Sequence, residues 1–219
     1  MRRFFIDLCS GLGGAHAAML KRPGWVVIAL DNNPELLEYA PYTLMTDVKD
    51  TTATIALIDE ALALHGYDPT MDDLIFWASP PCGPFSNGYY APGPVARREG
   101  RDYWPTEGLL MVESCLEIID HFTPTWWFLE NVRGACPYFM PILGKHATFA
   151  GSFFLWGQFP ALSFDDRTRE HKKSDNDPGN HPLRSNFRAK LPPGVSLAVV
   201  LAIEAQNTLR AWVPVSDLD

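Results

Sequence analysis

Residues 78–87 read ASPPCGPFSN, with the thiol of Cys82 directly behind Pro80 and Pro81 and just after the apolar run Leu74-Ile75-Phe76-Trp77. Proline fixes its own φ, lacks an N–H and turns the preceding residue away from helix, so a regular helix cannot carry this cysteine. The setting is a rigid turn at a strand end. Such a turn suits a small apolar residue, and it equally suits a nucleophile that must be held still. A nucleophilic thiol must ionise, and a nearby positive charge or helix terminus helps it to do so. A second stretch, FLENVRG, puts a carboxyl at Glu130 just past the apolar run 126–129. Arg133, three residues on, is a candidate to assist the thiol, to touch a substrate phosphate, or simply to face solvent.

A third stretch, DLCSGLGG at 7–14, places Gly11, Gly13 and Gly14 directly after an apolar run. Glycines allow a tight turn and the close approach of a ligand. The spacing differs from the GxGxxG of dinucleotide sites, so the turn alone says little. A further acid, Asp31, ends the next apolar run about twenty residues on, where a carboxylate can accept from both hydroxyls of a ribose. It can also serve as a helix cap. Asp47, in TDVKD, is placed to face an adenine amino group. A phosphate-bearing cofactor prefers a basic group or a helix dipole at its turn. Asp7 in that position favours a nucleoside cofactor without phosphate, and S-adenosylmethionine has that character.

These residues need elements to position them. The segments 3–6, 25–30, 74–78 and 126–129 read as strands, and 51–65, 106–121 and 194–209 as helices. The stretch 16–20 reads as a helix start, and Asn32 to Glu35 as a turn into a helix with proline near its first position. Short apolar strands alternating with helices imply an α/β fold: a mostly parallel, Rossmann-like sheet with helices on both faces. Ligands of such sheets bind beyond the carboxyl ends of the strands. Asp7, Asp31, Cys82 and Glu130 all fall there, on four different strands. The segment 145–162 reads as two aromatic-rich runs, a hairpin, and 165–186 as a polar loop. Residues 88–101, with Arg97, Arg98 and Arg101, read as a mobile glycine- and proline-containing cover. The expectation is one domain over 1–219, with an irregular insert or reduced recognition region at 145–190.

Bulk properties exclude several classes. No run approaches the eighteen apolar residues of a membrane span, and Asp7 interrupts the N-terminal apolar stretch too early for a secretory signal. A cytoplasmic protein is expected. The four cysteines lie far apart without a CxxC pair, which argues against a disulfide framework or a zinc site, so no metal is expected. A net charge of -8 argues against a generic clamp on duplex nucleic acid, although basic clusters exist locally.

The order DLCSGLGG, Asp31, SPPCGPFS and FLENVRG resembles the DNA cytosine-5 methyltransferase family over roughly residues 3–140. RAKLPPGVSLAVVLAIE is similar to its last motif. The resemblance implies that the Cys82 thiolate adds to C6 of cytosine and that Glu130 holds the base at N3 and its exocyclic amine. It also implies S-adenosylmethionine as methyl donor, with Asp7, Cys9, Gly11, Gly13 and Gly14 around its methionine part. Asp31 and Asn32 would then take the ribose and Asp47 the adenine edge, while Ser79 and Pro80 complete that wall. Ser86, Asn131, Arg133, Arg97, Arg98, Arg167 and Arg169 are the implied substrate contacts, with Ser86 open to a capping role and Asn131 to holding the Cys82 loop. The chain departs from the family in two respects. DDRTREHKK at 165–173 matches the arginine motif poorly, and a full target-recognition domain does not fit before the final motif. The expected partner is DNA, read in a short context, with a partner subunit or homodimer as one source of missing recognition surface. RNA, a free deoxycytidine nucleotide, a modified donor and a non-catalytic binding role remain open alternatives. A virus or mobile element is a natural setting for so small an enzyme.

Overall fold

The computed structural model describes the backbone of residues 1–212. In chain order the elements are β1 (Arg3–Leu8), β2 (Trp25–Asp31), β3 (Leu44–Met45), α1 (Thr51–Leu64), β4 (Asp73–Ala78), α2 (Pro92–Arg98) and α3 (Thr106–Phe122). They continue with β5 (Trp126–Asn131), α4 (Cys136–Leu143), β6 (Thr148–Ala150), β7 (Phe153–Gln158), α5 (Asp166–Glu170), α6 (Arg184–Ala189) and α7 (Pro193–Trp212). The sheet runs β3-β2-β1-β4-β5-β7-β6. Strands β1 to β5 are parallel, and β7 lies antiparallel to both β5 and β6. This is the α/β, Rossmann-like methyltransferase architecture.

The strands bury both faces, and their side chains alternate between two cores. Phe5, Ile75, Trp77 and Phe128 pack with Val195, Val199 and Ile203 of α7. Phe4, Ile6, Leu8, Leu74 and Phe76 pack with Ile58 and Leu62 of α1 and with Cys115 and Ile118 of α3. The chain order reverses between β1 and β4, and Leu8 lies level with both Leu30 and Ala78. A crevice therefore opens beyond one edge of the sheet, at its topological switch point.

Three local expectations need correction. Residues 16–20 do not begin a helix: they form turns and one 3-10 turn at Met19–Lys21. The Ala18 N–H donates to Ser196 Oγ at 2.9 Å, bonding to α7 rather than up a helix of its own. The stretch 88–101 is not simply a loop, because it contains α2. Pro92 and Pro94 fall in its first turn, where the N–H groups have no intrahelical partner to lose. The polar stretch 165–186 holds α5, capped by Asp165 accepting from Thr168 N at 2.8 Å, a 3-10 turn at Lys173–Asn176 and the start of α6. The aromatic stretch 145–162 does form a hairpin, β6 and β7, and the hairpin completes the main sheet. Among the described residues no helix is long and apolar enough to cross a membrane.

Candidate active site

Cys82 is held by its loop rather than by an element. Strand β4 ends at Ala78, the chain extends through Pro80 and Pro81, and Cys82 opens a 3-10 turn at Gly83–Phe85. Phe85, buried beneath this turn, meets Phe139 edge-on at 5.0 Å. Asn131 at the end of β5 donates from Nδ2 to the Pro80 carbonyl at 3.0 Å and accepts from Val132 N at 2.9 Å. Its side chain is thereby fully buried as a strut. Glu130, its neighbour on β5, faces the same space as Cys82. Glu130 Oε1 is buried without a hydrogen-bond partner among the described residues. Burial pushes the Glu130 carboxyl above its ordinary pKa, while the charge of Lys173 and a hydrogen bond from Ser79 pull it back. Lys173 Nζ itself lies 3.4 Å from Cys82 Sγ.

Cys82 and Glu130 form one end of a cavity of about 400 Å³, whose other end is the glycine turn after β1. Cys9, Gly11, Gly14, Asp31, Asn32, Ser79 and Pro80 all line it. Asp7, fully buried, binds His16 Nδ1 through Oδ2 at 2.6 Å, and its Oδ1 has no partner among the described residues. Burial pushes its carboxyl upward, His16 opposes this, and the charge of Asp31 adds to it. Asp31 accepts from Gly11 N at 2.9 Å and from Asn33 N at 3.0 Å, which fixes the carboxylate beside the turn. Cys9 holds a φ of 57°, rare for a residue with a side chain, and its thiol is pushed up by a hydrogen bond with Cys115 and by burial. Gly13 has a φ of 70°, and a Cβ there would lie 2.7 Å from His16 Nε2. At Gly14 a Cβ would lie 2.6 Å from the Leu191 backbone N, so this glycine lets the segment leading into α7 close the cavity.

Not every expected residue reaches this cavity. Asp47 does not line it: Thr46 and Val48 do, and Asp47 accepts from its own neighbour Lys49 N at 3.0 Å. Ser86, Arg97 and Arg133 line a second cavity of about 700 Å³, on the far side of the Gly83–Phe85 turn, with Tyr103, Tyr138 and His146. Ser86 Oγ also accepts from Gly88 N at 3.1 Å. Arg98 stacks over Tyr89 at 3.9 Å. Arg167 and Arg169 lie on α5 and line neither cavity; Arg169 Nε donates to the Phe164 carbonyl at 3.0 Å. The sequence reading missed His16, Lys173 and the wall formed by Ser185, Asn186, Lys190 and Leu191. Lys173 was visible there only as one member of a basic cluster. Among the described residues no group of His, Cys, Asp and Glu is placed to hold a metal.

The cavity fits a nucleoside sulfonium cofactor. The glycine turn, the Asp31 carboxylate and Asp7 Oδ1 line it, the last without a hydrogen-bond partner among the described residues, and among those residues no cluster of cations lines the turn. Residues 4–137, more than half of the 219-residue chain, match the C-5 cytosine-specific DNA methylase family. Type II methyltransferase M.AluI of Cellulosimicrobium cellulans is 29% identical over 133 residues, which is 59% of this chain and 22% of that protein. The Entamoeba histolytica methyltransferase EhMeth superposes with a TM-score of 0.47 at 15% identity, covering 83% of this chain and 61% of its own. A structure assigned as a DNA modification methyltransferase encoded within an E. coli prophage gives a TM-score of 0.42 at 18% identity, covering 75% of this chain and 49% of its own. The match to the family spans the glycine turn, the Cys82 loop and the Glu130 strand together, and the chain belongs to the C-5 cytosine-specific DNA methylase family.

Proposed function

We propose that this chain, acting as a single catalytic domain, transfers a methyl group from S-adenosylmethionine to C5 of cytosine in DNA through a covalent bond between Cys82 and C6. The observation that carries this reading is one cavity with a nucleophile and a buried acid at one end and a glycine-carboxylate cradle at the other. Bound in that cradle, S-adenosylmethionine supplies an electrophilic methyl group. Asp31 accepts from the ribose, the Asp7 Oδ1 and the glycine turn meet the amino acid part, and the Thr46–Val48 wall meets the adenine.

The residues of the chain then answer a chemical difficulty. C5 of cytosine is a poor nucleophile. Sulfur of Cys82 adds to C6, and the C5–C6 π pair becomes available at C5 to bond the methyl carbon as that carbon's bond to the donor sulfur breaks, leaving its pair on that sulfur. Glu130, whose carboxyl burial pushes above its ordinary pKa, meets the base at N3 and steadies the charge that collects there. Loss of the C5 proton to a base then lets the sulfur–C6 bond break and regenerates the thiolate. Asn131 keeps the loop in place rather than meeting substrate. Ser86, Arg97 and Arg133, one turn away in the second cavity, suit a phosphate next to the reacting base. A base within a duplex must leave the stack to reach Cys82.

The test is transfer of tritiated methyl from S-adenosylmethionine to unmodified mixed-sequence duplex DNA, with parallel RNA and deoxycytidine monophosphate acceptors. Label recovered as 5-methylcytosine in DNA, and lost in Cys82→Ala, is the expected outcome. Label in RNA or the free nucleotide alone would replace the acceptor. Undiminished transfer by Cys82→Ala would remove the covalent mechanism. Cofactor binding without transfer to any acceptor would direct the search to a partner that supplies recognition surface.

A further inference from the structure

Ninety-one positions separate Lys173 from Cys82 in the chain, yet Lys173 Nζ comes within 3.4 Å of the cysteine sulfur. The side chain is backed by an aromatic face, with Nζ 5.1 Å from the centre of the Phe153 ring. Its charge also reaches Glu130. The 3-10 turn that carries it is tied down on three sides. His171, just before it, stacks on Phe153 at 6.0 Å, and a Cβ at Gly151 would lie only 2.1 Å from the His171 carbonyl. Asp175 accepts from Lys172 N at 2.8 Å, and Asn176 Nδ2 donates to the Lys190 carbonyl at 2.9 Å. A lysine held this way gives up rotamer freedom that a surface lysine keeps.

The charge balance of the cavity gives the placement a purpose. Among the described residues lining it, the acids are Asp7, Asp31 and Glu130 and the cations are Lys173 and Lys190. A thiolate formed among three acids is opposed unless a cation stands against it. Arg133, the cation the sequence suggested, lies in the other cavity. Resting on the reaction proposed above, we infer that Lys173 is a further catalytic residue. Its ammonium donates to the Cys82 sulfur, holds the thiolate in line for C6, and faces Glu130 once the sulfur pair has entered the new S–C6 bond. The thiol proton leaves to water before that bond forms, and Lys173 keeps its own protons throughout. When the bond breaks, the sulfur takes the pair back beside the same ammonium.

Alkylation by iodoacetamide tests this without nucleic acid or cofactor, since the S–CH₂ bond forms from the same thiolate pair as iodide leaves. Labelling of each cysteine is followed by mass spectrometry of the full chain after digestion. At neutral pH, Lys173→Met should slow Cys82 labelling on the order of tenfold, and Lys173→Arg should stay within about threefold of the wild type. An unchanged rate in Lys173→Met overturns the proposal. Buried Cys115 reports unfolding, because it becomes labelled only if the core opens. Should Lys173→Met unfold, Lys173→Gln and Lys173→Arg decide, and equal Cys82 rates in those two overturn the proposal. In the unaltered chain Cys82 should react faster than Cys136, whose thiol burial pushes up, and the reverse order also overturns it. Fast Cys82 labelling without methyl transfer would sink the proposed reaction and keep this pairing. Methyl transfer with an unchanged Lys173→Met labelling rate would do the opposite.

Discussion

Glu130 shows how one buried carboxyl sets a chemical role and a stability cost together. It is 5% exposed, one of its oxygens has no partner, and burial acts on it more strongly than Lys173 or Ser79. A carboxyl whose folded pKa is raised carries no penalty below the ordinary glutamate value, because it is protonated in both states. As pH rises through the folded value, ionisation costs stability. Glu130→Gln keeps the shape and removes that cost. The variant should therefore be more stable than the wild type at neutral pH, by about 1–3 kcal/mol, with the advantage shrinking toward about pH 4.3. Thermal melts across that range measure it. Methyl transfer should fall to background in the same variant, since a glutamine cannot present the acid at N3. A variant less stable at every pH would mean that attraction to Lys173 outweighs burial.

Two turns pressed together fix where Cys82 stands, and their contact is backbone to backbone. At Gly134, after β5, a Cβ would lie 2.0 Å from the Phe85 carbonyl oxygen at the end of the Cys82 turn. Asn131 ties the other side of that loop through Pro80. Gly134→Ala must push the turn away, at about 1–3 kcal/mol of overpacking. The proposed cofactor walls after β1 and β2 take no part in this contact. The expected result is a kcat for methyl transfer lowered at least on the order of tenfold, with the KM for S-adenosylmethionine unchanged. An unchanged kcat would mean the turn yields without moving the sulfur. The strands bearing these turns were legible because each is a short apolar run, and Asp31, Cys82 and Glu130 were legible because strand ends are where ligands meet such a sheet. Asp47 stands off the cavity because β3 is only two residues long and the aspartate folds back to accept from Lys49 N. Helices α2, α5 and α6 were hidden by prolines and polar residues that usually mark loops. Lys173 and His16 carry no local signal, since their partners are set by tertiary packing and by the conformation of Gly13.

At the scale of the whole molecule, the proposed reaction asks an acidic chain to meet an acidic polymer. The net charge is -8, yet among the described residues no acid lines the second cavity, where Arg97 and Arg133 stand with His146. Of the 34 residues between β7 and α7, Lys173, Ser185, Asn186, Ala189, Lys190 and Leu191 turn back onto the Cys82 cavity. On the proposed reading, the arginines of the second cavity are the cations nearest the Cys82 turn for contact with nucleic acid. Each phosphate neutralised on duplex DNA contributes about -0.9 to the slope of log K against log salt concentration. Two arginines predict a slope of about -2, and Arg97→Ala or Arg133→Ala should each make it shallower by about 1. Fluorescence anisotropy of a labelled duplex across about 50 to 200 mM salt measures the slope. A slope near zero would take the arginines off the phosphates. A slope of about -6 or steeper would require a basic surface that Arg97, Arg133, Lys173 and Lys190 cannot make between them, and would assign the main contact to another part of the molecule or to a second chain.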